Sequence, residues 1–99
     1  SANFSVSYET DINSVPALIE DAVAQLPFIL LEPDGPSCEL NAFGESSVDF
    51  EVEYWVNGIE DLTDDYRSKV LFAIWNALKG AGIQMPYPHR VVELRNAGA

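Results

Sequence analysis

The run SVDFEVEYWV, from Ser47 to Val56, constrains this chain more than any other stretch. Side chains alternate along a strand, so Val48, Phe50, Val52, Tyr54 and Val56 share one face. Asp49, Glu51, Glu53 and Trp55 share the other. An apolar face five residues long must be covered, and a face carrying three carboxylates must stay wet. The run therefore demands an antiparallel sheet that is buried on one side only.

The remaining elements supply the cover. Phe4–Tyr8 and Cys38–Phe43 alternate in the same way and read as two further strands. Cys38, Leu40 and Ala42 are expected on one face, and Gly44-Glu45 is a short turn that makes Cys38–Val56 a β-hairpin. Between the first two strands, Val15, Leu18, Ile19, Ala22, Val23 and Leu26 recur at helical spacing. Asp11 or Asn13 is placed to cap that helix, Pro16 fits its first turn and Pro27 limits it. Glu32-Pro-Asp-Gly-Pro36 is a surface loop. After Asn57-Gly58 a second helix is expected, with Asp61 or Thr63 as its cap. Its core stripe is Tyr66, Val70, Ile74, Ala77 and Leu78, widened by Leu71, Phe72 and Trp75, and Gly80 or Gly82 ends it. Both helices should lie on one face of the sheet, over a core of Phe50, Val52, Leu18, Val23, Val70 and Ile74.

The order β-α-β-β-α defines an α+β sandwich. Beyond it, Met85-Pro-Tyr-Pro88 is a stiff extended rod with two backbone donors missing. Val91–Leu94 then reads as a short final strand. If that strand returns to the same sheet, the fold is ferredoxin-like. If the rod carries it away, the strand belongs to an assembly. The expected division is an α/β domain over 1–88 and a C-terminal strand and tail over 89–99.

Composition narrows the function. The chain has 99 residues, one domain's length, and 47 % of them are apolar, which argues against disorder. It opens on Ser1 rather than Met, so it is expected to be a piece of a longer protein. It carries no signal-peptide pattern, and no apolar run nears the roughly 20 residues that cross a bilayer. Five Lys+Arg against sixteen Asp+Glu leave a formal charge of −11. Phosphate contacts need clustered cations, whereas Arg67, Lys69, Lys79, Arg90 and Arg95 are scattered. Nucleic acid and direct membrane insertion are therefore not expected. The single Cys38 cannot form an internal disulfide, and its strand position makes it a buried thiol.

No cofactor, metal or catalytic residue is expected. His89 is the only histidine and has no second ligand at metal spacing. Glu60, Asp61, Asp64 and Asp65 lack the central glycine and terminal glutamate of a calcium loop, and read as a solvated helix start. Asp49, Glu51 and Glu53 read as a charged sheet face. Trp55, on the polar strand face, and Phe72 and Trp75, beside the core stripe, are large aromatics on a small acidic domain, which suggests an interface.

Four stretches together resemble a known family: FSVSYETDI into the first helix, the hairpin LNAFGESSVDFEVEYWV, the helix LFAIWNALKGAGI and the tail MPYPHRVVEL. Gly44 with Ser46-Ser47, and Gly82-Ile83 through Tyr87-Pro88, are its most specific parts. The chain resembles the C-terminal cytoplasmic α/β domain of the small-conductance mechanosensitive channel family. That resemblance implies a tension-gated channel of the bacterial inner membrane that releases osmolytes on hypo-osmotic shock. It also implies a homoheptamer whose cytoplasmic domains form a cage, with the segment after Pro-Tyr-Pro joining its symmetry copies in a β-barrel. Trp55, Phe72, Trp75, Pro86, Tyr87, Pro88, Val91, Val92 and Leu94 are then the expected subunit interface. Glu51 and Glu53 are the expected vestibule charges. The competing reading is a free-standing ferredoxin-like regulatory module that binds a small ligand between subunits.

Overall fold

The computed structural model describes residues 1–56 and 64–86. Within them run β1 (Ala2–Val6), a 3₁₀ turn (Ile12–Ser14), α1 (Val15–Ala24), β2 (Ser37–Phe43), β3 (Val48–Glu53) and α2 (Asp64–Gly80). The strands form one antiparallel sheet in the order β1-β3-β2, so the long alternating strand lies at its centre. α1 packs on β2 and on α2, and α2 packs on β1.

Each strand contributes a row of side chains to the covered face. Ala2, Val52 and Cys38 form one row, and Phe4, Phe50 and Leu40 the next. Val6, Val48 and Phe43 make the third. Phe50 is 1 % exposed and stacks on Phe4 with ring centroids 5.4 Å apart. From above, α1 lowers Val15, Ile19 and Val23 onto the sheet, and α2 lowers Val70, Ile74 and Leu78. Burial of these side chains is the main stabilising term, because each removes apolar surface from water.

Local chemistry explains the element ends. Asp11 accepts the Asn13 N–H at 3.2 Å and starts the 3₁₀ turn, after which Pro16 sits in the first turn of α1. At the far end of α2, Gly82 adopts φ +75°. Its N–H donates to the Lys79 carbonyl at 3.1 Å, and the Ile83 N–H to the Leu78 carbonyl at 2.9 Å. This paired closure satisfies carbonyls that the helix leaves open, and the left-handed turn selects glycine.

Four expectations change. The first strand runs over Ala2–Val6, not Phe4–Tyr8; Ser7 to Thr10 turn instead, with the Thr10 N–H donating to the Ser7 carbonyl at 3.1 Å. Tyr8 is exposed and its hydroxyl donates to the Gly44 carbonyl. In β2 a bulge at Asn41 breaks the alternation: Leu40 lies opposite Phe50, but Ala42 lies opposite Asp49. Ala42 therefore turns to the open face and Phe43 to the helix side, where the helices do not reach it: Phe43 and Leu40 both stay exposed, and of β2 only Cys38 is buried. Leu18 is only half-buried, packing against the core from its rim. The regular ladder of β3 ends at Glu53, and Val56 instead bridges Ile29, with the Leu30 N–H donating to the Trp55 carbonyl at 2.8 Å.

A fourth strand, which would complete a ferredoxin-like sheet, falls on residues outside those described, as do the expected helix caps Asp61 and Thr63. Among the described residues the architecture is a three-stranded antiparallel sheet with two helices on one side. No helix there is long and apolar enough to cross a membrane.

Candidate functional site

The open face of the sheet is polar because the alternation of β3 makes it so. Asp49, Glu51 and Glu53 point away from the helices, flanked by Asn3 and Ser5 on β1 and Glu39 on β2. Asp49 is held in place: its Oδ1 accepts the Ser5 hydroxyl at 2.7 Å and the Ser47 hydroxyl at 3.0 Å. Glu51 lies between Asn3 and Glu39, so two carboxylates face each other across the β2–β3 pair. Like charges directly opposite are unfavourable, and on this open face water and salt screen the repulsion.

Ser47 also ties the hairpin end. The Gly44 N–H donates to the Ser47 carbonyl at 2.7 Å, and a Cβ on Gly44 would fall 2.6 Å from the Ser47 Oγ. A larger residue there would push the Ser47 hydroxyl off Asp49, which gives Gly44 a steric reason for being there.

A second surface is apolar. Phe72 is 65 % exposed and Trp75 47 %, both on the flank of α2 that turns toward β1. With Phe4, Leu71 and Met85 they wall an open groove of about 550 Å³. Lys79 Nζ lies 5.6 Å from the Trp75 ring centroid, a cation–π distance. Pro86 lines an adjoining cleft with Trp75 and Ile83. Trp55 is not part of this surface: it lines a separate cleft with Leu30, Glu32, Pro33 and Asp34. The remaining expected interface residues, Tyr87, Pro88, Val91, Val92 and Leu94, and also His89, lie outside the described residues.

Cys38 is 5 % exposed, and burial pushes its thiol up to about 12, with the Glu20 and Glu39 carboxylates adding to the shift. A thiol so held is protonated at neutral pH and is no nucleophile. Burial also raises Tyr54, an effect the Arg67 guanidinium partly offsets. Among the described residues no three metal-ligating side chains converge.

One contact had no signal in the sequence. The Cys38 N–H donates to the Glu20 carboxylate at 2.8 Å, linking α1 to the edge strand β2 across eighteen positions. Nothing in helical or strand periodicity marks which surface acid turns inward to do this.

The fold is thus that of a small α+β domain with one covered and one open sheet face. A family model described as mechanosensitive ion channel MscS, C-terminal, matches residues 1–85. The chain belongs to that family, as its C-terminal domain. The family is one of channels and not of enzymes. Two curated relatives agree. An uncharacterized MscS family protein of Archaeoglobus fulgidus is 29 % identical over 91 residues, which are 92 % of this chain and 31 % of that protein. Another, from Synechocystis sp., is 34 % identical over 91 residues, 90 % of this chain and 29 % of that protein. The chain spans about a third of the length of these relatives. Among solved structures it is similar to Arabidopsis thaliana MSL1 seen by cryo-EM, with a TM-score of 0.70 and 13 % identity, covering 88 % of this chain and 32 % of that one. A point-substituted form of MSL1 gives a TM-score of 0.72 at the same identity, covering 88 % and 34 %. At that identity the likeness speaks for the fold alone.

Proposed function

We propose that this domain is a wall segment of a cytoplasmic cage beneath a tension-gated pore, in a homoheptameric channel of a bacterial inner membrane that releases osmolytes on hypo-osmotic shock. The observation that carries the reading is the family match over residues 1–85, joined to a sheet whose open face is acidic. In this reading residues 1–88 are the wall and 89–99 the strand and tail. Val91, Val92 and Leu94 pair with symmetry copies in a barrel, which leaves no sheet edge exposed. Pro86, Tyr87 and Pro88 hold that strand out, while Trp55, Phe72 and Trp75 meet neighbouring subunits.

Glu51 and Glu53 then face the vestibule. Like charge repeated around a confined space sets up potentials of several kT, screened beyond about 8 Å at physiological salt. The vestibule enriches cations and depletes small anions. Membrane patches holding the full-length channel test this under suction. A tension-gated current is expected, and Glu51→Gln with Glu53→Gln should lower its cation preference at low salt and leave it unchanged at high salt. Absence of any tension-gated current would overturn the channel reading. Unchanged selectivity at low salt would put the two carboxylates outside the permeation path.

A further inference from the structure

Two uncovered apolar patches lie at opposite edges of the sheet, because β1 and β2 are its two edge strands. The first is the groove between α2 and β1, where the exposed Phe72 and Trp75 stand beside Phe4, Leu71 and Met85. Its polar lining is Asn3, Ser5 and Ser68, with no carboxylate among them. The second patch is on β2. Leu40 pairs with Phe50 and Phe43 with Val48, so both turn to the helix side of the sheet. There α1 reaches Cys38, through Glu20, and goes no further. Leu40 is left exposed, and Phe43 is as exposed as Phe72.

Charge separates the same two edges. All three Lys and Arg side chains among the described residues, Arg67, Lys69 and Lys79, lie on α2, whose acids are confined to its first two positions. Lys79 stands over the Trp75 ring, at the groove itself. The hairpin Ser37–Glu53 carries Glu39, Glu45, Asp49, Glu51 and Glu53 and no cation. Two hairpin edges would repel each other, and two groove edges would set like charges together. Groove against hairpin joins apolar surface to apolar surface and surrounds it with opposite charge, which steers the approach and fixes its orientation.

We propose that Leu40 and Phe43 of one copy seat in the groove that Phe4, Phe72 and Trp75 form on the next copy, with the acidic hairpin against the basic flank of α2. The contact rests on the homo-oligomeric reading and names the surfaces that meet in it. It joins unlike faces, so every copy uses both of its edges and the contacts run head to tail around a ring. Patches of this kind bury about 300–600 Å². A stable pair needs roughly 800 Å² on each partner. The contact is therefore too small to hold two free domains together, and forms where the rest of the channel brings the copies side by side.

Cysteine cross-linking in the full-length channel reads the contact. Cys38→Ala, with any further cysteine of the parent chain replaced, clears the background. Phe43→Cys and Phe72→Cys in one chain, treated with a short bis-maleimide, should give a ladder of two and more linked subunits on a denaturing gel. Either substitution alone should give monomer, because a contact between unlike faces never brings two copies of one position together. Leu31→Cys with Phe72→Cys, a comparably exposed pair, should also give monomer. A dimer from Phe72→Cys alone would show groove facing groove and overturn the proposal. Monomer from the Phe43→Cys, Phe72→Cys chain would overturn it too, whether the groove is filled by the chain's own tail or by another protein. So would an equal ladder from the Leu31 pair, which would mark random collision. The tension-gated current of the unsubstituted channel keeps the two readings apart: current without a ladder removes this contact and leaves the channel, and a ladder without current does the reverse.

Discussion

Cys38 shows how one residue's surroundings set its chemistry. It sits in the first row of the core opposite Val52, while Glu20 and Glu39 bring negative charge near it. All three influences favour the neutral thiol. In the unfolded chain the thiol ionises near 9.0, in the folded chain near 12. Above pH 9 the unfolded state sheds a proton that the folded state keeps, so stability is full below that pH and falls as pH rises toward 12. For one proton the slope is at most about 1.4 kcal/mol per pH unit. Urea unfolding across this range should show the fall, and Cys38→Ala should flatten it. Tyr54, also raised by burial, will keep part of the slope in that variant. A Cys38→Ala profile as steep as the parent's would place the effect elsewhere.

The elements show how a three-stranded sheet protects two open edges. Exposed strand edges invite pairing with other chains, and each edge here is blunted differently. On β2 the bulge at Asn41 interrupts the ladder, and Glu20 accepts the Cys38 N–H. Past the end of β1, the Gln84 carbonyl accepts the Ser7 N–H, and Pro86 follows two residues later with no N–H to offer. The Glu20 contact has a measurable weight. Glu20→Ala leaves a part-buried donor without its carboxylate and should cost about 1–2 kcal/mol in urea unfolding. Glu20→Gln should retain most of that stability, since its amide oxygen accepts the same bond. Equal losses in the two variants would mean that charge, not the hydrogen bond, is what α1 lends to β2. The β3 strand and the stripe of α2 could be read from spacing alone, because each obeys one period throughout. The bulge could not: two residues opposite one is a property of the pair, and neither strand contains it.

At the scale of the whole molecule, the described residues have an acidic open sheet face and an apolar flank on α2. In the proposed assembly one short strand per subunit buries too little area to offset the association entropy of several bodies. The 99-residue chain should therefore be monomeric by light scattering at micromolar concentration. A tight heptamer would show that the domain assembles without a membrane template, and would leave the family assignment intact.

What the sequence determined by itself was the pattern of burial along each element. The β-α-β-β-α order, the helices over one face, the core residues Phe50, Val52, Val23, Val70 and Ile74, and the outward acids Asp49, Glu51 and Glu53 all follow from local period and polarity. That information lies in neighbours along the chain, where strand and helix geometry repeat. Tertiary structure alone decided the central place of β3, the bulge that sets Phe43 opposite Val48, the reach of Glu20 to Cys38 and the groove joining Phe4 to Phe72 and Trp75. Each of these joins residues distant in sequence, and which distant groups meet depends on how the layers pack, a relation that no periodicity within a single element records.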